Sequence, residues 1–160
     1  MYGNDRLPGV AVSETYRSNG SIWQGAPEAT WFKVVGVKGT EETGTDIPVG
    51  TIMKEVEDGT YSPIAESDIV SAVADLPGVR LVIVADKTAK TGTTKTTGEG
   101  ADAVTETTPS TVLVGTCGKV DKARVYVADK TFTELTETQR LGLNLQLEAW
   151  GFMLVNVMQA

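Results

Sequence analysis

The segment LTETQRLGLNLQLEAWGFMLVNV, residues 135–157, constrains the fold more than any other part of the sequence. Its leucines at 141, 143, 145 and 147 alternate with polar or small residues, as they would in a half-buried strand. Both ends of the segment argue for a helix instead. Thr136 followed by Gln139 has the form of a capping box, and Gly151 stands where a helix C′ glycine stands. A strand over 141–147 would also lack β-branched residues, which strand propensity disfavours. On a helical wheel, Leu141 and Leu145 share one face, while Leu143, Leu147 and Trp150 share nearly the opposite one. A helix apolar on two sides must be covered on two sides. One stripe can pack on the chain's own sheet, and the other then needs a second layer from the same chain or from a symmetry mate. Leu143, Leu147 and Trp150 are the candidates for such a subunit interface. The residues after Gly151, FMLVNV (152–157), form a run too short to span a membrane and read as a terminal strand joining the sheet.

Upstream, the apolar runs are short and β-like. WFKVVGVKG (31–39) is a strand bounded by glycines, and TEETGTDIP (40–48) is a polar loop. VGTIMKEVEDGTYSPI (49–64) holds two short β-like runs around Glu57-Asp58-Gly59 and reads as a hairpin. In ESDIVSAVADLPG (66–78), Ile69, Val70, Val73 and Leu76 recur at helical spacing. Ser67 is placed as N-cap and Pro77-Gly78 as a stop, so a short helix is expected. VRLVIVAD (79–86) is a buried strand. TVLVGTCGKVDKARVYVAD (111–129) predicts two strands, around Val112 and Val114 and around Val125 and Val127, joined by a turn at CGKVDK.

Two segments depart from this pattern. Residues 86–110 contain nine threonines in 25 residues and almost no large apolar side chain, so they cannot bury enough surface to offset the entropy of ordering them. They predict a mobile loop or a protruding threonine-rich hairpin, or an excursion that reaches a neighbouring subunit or the outside of an assembly. Residues 1–30 carry Gly3, Pro8, Gly9, Gly20, Gly25 and Pro27 among polar residues and read as an extended arm. Trp23 and Trp31 sit at its far end. Either both pack onto the arm's own domain, or at least one anchors a partner.

Composition narrows the function. With 14 Lys+Arg against 21 Asp+Glu, the formal charge is −7, which repels phosphate backbones and argues against nucleic-acid binding. Histidine is absent and Cys117 is the only cysteine, which removes the usual zinc sites, His-dependent triads and any intramolecular disulfide. Cys117 is therefore expected to be a packing residue. The carboxylate pairs Glu41/Glu42 and Glu57/Asp58 are adjacent in loops, where side chains diverge into solvent. No catalytic, cofactor or metal residue is assigned, and no enzymatic activity is expected. MYGNDRLPGV lacks a basic region followed by an apolar run, which gives a protein made and kept in a cytoplasm, with no membrane partner, as the default expectation.

Taken in order, the hairpin VGTIMKEVEDGTYSPI, the pair TVLVGTCGKVDKARVYV, the helix TETQRLGLNLQLEAW and the ending GFMLVNV resemble the head decoration, or capsid cement, proteins of tailed bacteriophages. TVLVGTC loosely matches that family's xVGIL-like strand, and Gly151, Phe152, Leu154 and Val155 match its G-I-x-V tail. The resemblance spans residues 46–160. It implies a mainly-β, β-clip-like domain with one or two short α-helices, residues 46–160, carrying the threonine-rich insertion 86–110. Residues 1–45 would be an extended N-terminal arm plus the first strand. It further implies a homotrimer on the outer surface of the virion, stabilising the expanded shell without a cofactor after passing through the host cytoplasm. The partner would be the major capsid protein. The arm would add a strand to the coat protein's sheet through Val10, Val12, Ile22 and Trp23. Deleting residues 1–30 is then expected to leave the domain folded and to abolish shell binding. A head-fibre base, a neck adaptor or a tail accessory protein is the alternative, and an adhesion or carbohydrate-binding module is a more distant one.

Overall fold

The computed structural model describes residues 22–24 and 30–156. The described chain is mainly β with a single α-helix. Its strands are β1 (Trp23–Gln24), β2 (Trp31–Val37), β3 (Ile52–Glu55), β4 (Tyr61–Pro63), β5 (Leu81–Val84), β6 (Thr93–Thr97), β7 (Val104–Thr108), β8 (Ser110–Asp121), β9 (Tyr126–Val127), β10 (Lys130–Thr131) and β11 (Phe152–Val155). The helix, α1, runs Glu137–Ala149.

β8 organises the sheet. Its first half pairs antiparallel with β2 on one edge and with β5 on the other. The hairpin β3–β4 links those two, because β3 pairs with β5 and β4 meets the end of β2 at Val37–Tyr61. The path β8–β2–β4–β3–β5 therefore returns to β8 as a small closed barrel. Beyond a register shift between Trp31 and Phe32, the second half of β8 leaves the barrel. There it pairs with β1 on one edge and, in parallel, with β11 on the other.

Two cores result. Val35, Val37, Met53, Val82, Val84, Val112 and Val114 fill the barrel, closed by Ile47, Tyr61 and Ala89. Ile52, Leu81, Ile83, Val120 and Phe152 face the other side, where Leu143 and Leu147 of α1, Phe132 and the residues Ile22–Trp23 cover them. β5 separates the two cores. Its Leu81 and Ile83 enter one and its Val82 and Val84 the other, so all four are fully buried, as the continuous apolar run VRLVIVAD predicts.

The closing segment folds as its caps dictate. The Thr136 side chain accepts from the Gln139 N–H at 3.2 Å, and the Gln139 side chain accepts from the Thr136 N–H at 3.0 Å. Gly151 ends the helix at a φ of +91°, a conformation that favours glycine. Phe152–Val155 then pairs with β8, as expected. The 49–64 hairpin also forms as β3–β4 around Glu57–Gly59.

Other expectations are corrected. Residues 66–76 form no α-helix but two single 3-10 turns, Glu66–Asp68 and Val73–Asp75, in a strap laid across α1. The Val70 N–H, which a helix would aim at Glu66, instead donates to Gln146 Oε1 at 3.2 Å. The Asp68 carboxylate turns back to accept from Ala65 N–H and from Lys54. The β-branched Ile69, Val70 and Val73 add little helix propensity to resist this. The expected turn at CGKVDK is also displaced. β8 runs straight through Cys117 to Asp121 and the chain turns at Lys122–Arg124, where the Asp121 side chain caps Ala123 N–H. Pairing on both edges by β1 and β11 keeps this stretch extended, a tertiary effect that local turn chemistry does not report. A boundary at 45/46 does not divide the fold, because β2 lies inside the same sheet as β3, β4, β5 and β8.

The strap rests on α1 at Gly142. An added Cβ there would stand 2.1 Å from the Val70 carbonyl oxygen. Helix propensity alone favours Ala over Gly by about 1 kcal/mol. Displacing backbone costs about 1–3 kcal/mol, so the contact outweighs the propensity. Gly142→Ala is therefore expected to lower the thermal midpoint, and a raised midpoint would contradict the strap–helix contact.

Candidate interaction surfaces

The residues assigned to an arm or an interface from the sequence divide sharply. Val10 and Val12 lie outside the described residues. Ile22 and Trp23 are in the chain's own core, 2% and 8% exposed, so neither offers a side chain to a coat protein in this conformation. Trp23 lies across Gly115, meets Phe32 edge-on at 5.3 Å between ring centres and Phe152 at 6.3 Å, and its strand pairs with β8. Sequence alone could not place it, because β1 is two residues long and its pairing partner is about a hundred positions away. Leu143 and Leu147 are likewise fully buried in their own chain. Helix α1 uses that stripe to cover the sheet, which corrects their assignment to a subunit contact. Trp150 is half-buried, with its indole N–H donating to the Pro77 and Val79 carbonyls and Arg80 stacked 4.7 Å from the ring centre.

The exposed apolar residues are elsewhere. In the β1–β8–β11 part of the sheet, Trp23, Val120 and Phe152 turn inward. Register places Trp31 beside Cys117, and Gln24 and Met153 on either side of Lys119. Alternation puts these residues together on the opposite face. That face is open among the described residues, with Trp31 68% and Met153 52% exposed. The two tryptophans therefore part company, Trp23 inward and Trp31 outward. Met153 was legible only as the outward neighbour of Phe152 once the strand was known. Cys117, half-buried on this face, packs against Gly151.

The threonine-rich stretch forms the hairpin β6–β7, with Thr94–Thr107 and Thr96–Thr105 hydroxyls each 3.1 Å apart across the strands. Its base is tied to the loop before β3 by Thr94 N–H donating to Glu41 and the Thr94 hydroxyl to Gly39. Residues 95–109 are exposed. The barrel mouth carries Lys33 over the Tyr61 ring, 5.5 Å from its centre.

The shifted ionisable groups are solvent-exposed and hold turns together. Hydrogen bonds from Lys130 and Gln139, in that order, keep the Glu66 carboxyl below its usual range, and the same Glu66 raises Lys130. Glu134 is lowered by the Thr131 backbone N–H and hydroxyl. Glu66 joins the strap to β10 and to the first turn of α1. A carboxyl whose folded value is depressed stabilises above its unfolded value and loses that contribution as pH falls through the folded one. Protection of the strap amides, relative to their intrinsic exchange rates, is thus expected to fall as pH drops below the ordinary glutamate range and through the depressed folded value, and Glu66→Gln should remove that pH dependence. An unchanged acid response in the variant would sink the assignment.

Among the described residues, no group of three or more His, Cys, Asp and Glu is placed to hold a metal, and no helix is long and apolar enough to cross a membrane. Glu41 and Glu42 stand exposed in their loop. Comparison with protein families, curated proteins and solved structures returns no match.

Proposed function

We propose that the chain is a structural virion protein that binds the outer surface of a phage capsid and stabilises the expanded shell, with a β-clip-like body acting as a trimer. One observation supports this reading above the others. The sheet edge at β1, with the buried Ile22 and Trp23, borders the open face that carries Trp31 and Met153. An open sheet edge beside a face that carries Trp31 and Met153 suits strand addition combined with a flat contact to a partner's sheet. Multivalency in a trimer multiplies such contacts, and binding only the expanded lattice stabilises that lattice by mass action. The mechanism is thermodynamic and uses no cofactor. An acidic chain with a net charge of −7 also suits an exposed virion surface.

The buried anchor changes the deletion that tests this. Removing residues 1–30 takes Ile22 and Trp23 out of the core and is expected to unfold or weaken the domain. Removing 1–21 spares them. The shorter deletion should keep the native far-ultraviolet spectrum and lose co-sedimentation with expanded shells. Undiminished co-sedimentation would remove the arm from the mechanism.

A further inference from the structure

On the outer side of α1, away from the face proposed for the shell, two hollows share Leu141 as the ridge between them. One, about 290 Å³, is lined by Lys122, Phe132, Glu137, Arg140, Leu141 and Asn144. The other, about 120 Å³, is a mostly apolar slot between the strap and the helix, bounded by Val70, Val73, Leu76, Leu141 and Leu145. Leu141 itself is 61% and Val73 69% exposed.

The larger hollow brings two cations, Lys122 and Arg140, to one surface depression. Lys54, Lys90, Arg124 and Lys130 each have a carboxylate within ion-pair distance. Lys122 and Arg140 are half-buried, yet among the described residues neither forms an ion pair. Lys122 has only the Phe132 ring, 5.1 Å from its ammonium. A partly desolvated cation without a counter-charge is costly, so an anion that completes the pair gains more here than at an open surface. Glu137 offsets one of the two charges and leaves the hollow positive by one in a chain that is negative by seven.

We propose that this composite site docks a partner protein's segment in which a carboxylate side chain and a nearby aliphatic side chain act together. The carboxylate meets Lys122 and Arg140. The aliphatic group crosses the Leu141 ridge into the slot. Asn144 and Glu137 at the rim set the approach. Because the chain's overall charge repels an acidic partner at long range, recognition acts at contact, and the aliphatic side chain contributes the area that a lone carboxylate lacks. The site is independent of the capsid reading and uses a different face.

The test is an amide and methyl chemical-shift titration of the full chain with capped peptides that hold one leucine and one glutamate separated by zero to three alanines. At least one spacing should give saturable shifts confined to residues 70–76, 122 and 137–145. Its Glu→Gln version should bind about tenfold more weakly, as expected for loss of a charge-assisted hydrogen bond. Lys122→Glu with Arg140→Glu should abolish the shifts, and the single Lys122→Gln and Arg140→Gln variants, milder for the fold, should weaken them with the remaining spectrum unchanged. Saturable shifts from none of the spacings, equal binding of the glutamine peptides, or shifts at Trp31 and Met153 would each overturn the proposal. So would helix shifts that follow protein concentration alone, since a second copy would then be the occupant.

Discussion

Leu143→Ala and Leu147→Ala are each expected to destabilise the isolated chain by about 2–5 kcal/mol and to lower its thermal midpoint by roughly 5–15 °C. Both side chains are fully buried between α1 and the sheet, among Ile52, Leu81, Ile83 and Phe152. Truncation removes their transfer energy and leaves a cavity that a sheet paired on both edges cannot collapse to fill. Leu141→Ala is the internal control. At 61% exposure it should change stability by less than about 0.5 kcal/mol. The contrast separates two readings of one sequence pattern, because a stripe facing a symmetry mate would change oligomeric mass and leave monomer stability alone. Equal, small effects at all three leucines, with a change in mass, would return Leu143 and Leu147 to an interface.

Gly115→Val should cost about as much, by a different route. An added Cβ at Gly115 would stand 2.1 Å from Trp23 Cη2 and 2.4 Å from Cζ2, so the indole must leave. Valine in a central strand would otherwise be favoured over glycine by up to about 1 kcal/mol. Losing the burial of a tryptophan, with its contacts to Phe32 and Phe152, costs about 3–5 kcal/mol and decides the sign. Tryptophan emission should shift to the red as Trp23 becomes wet, and β1 amides should lose protection. An unchanged spectrum would show that Trp23 does not lie on Gly115. On the proposed decoration role, the variant should also weaken association with expanded shells below its unfolding temperature, because it displaces Trp23.

How much of this was legible in the sequence depended on whether the deciding interactions were local. The capping box at Thr136–Gln139, the Gly151 stop and the Glu57–Gly59 turn are settled within a few residues, and each formed where its chemistry stands. The run 79–86 was readable as buried because nothing polar interrupts Leu81–Val84. The strap was misread because its helical spacing was answered by distant groups, Gln146 taking the Val70 N–H and Lys54 taking Asp68. The twelve-residue length of β8 rests on strands about a hundred residues before it and some thirty after it. The interaction surfaces were the least legible. Trp23 turns inward through the pairing of β1 with a strand about a hundred residues away, and Trp31 stands on β2 next to a register shift between Trp31 and Phe32. Lys122 and Arg140 are brought to one hollow only by the fold.

The proposed decoration role is tested by the mass of the protein in multi-angle light scattering, alone and after mixing with undecorated phage shells in the unexpanded and expanded states. A decoration protein should run as a trimer, or a monomer, that moves onto the expanded shells until they saturate and leaves unexpanded shells bare. A larger closed ring in solution together with no association to either shell would contradict it.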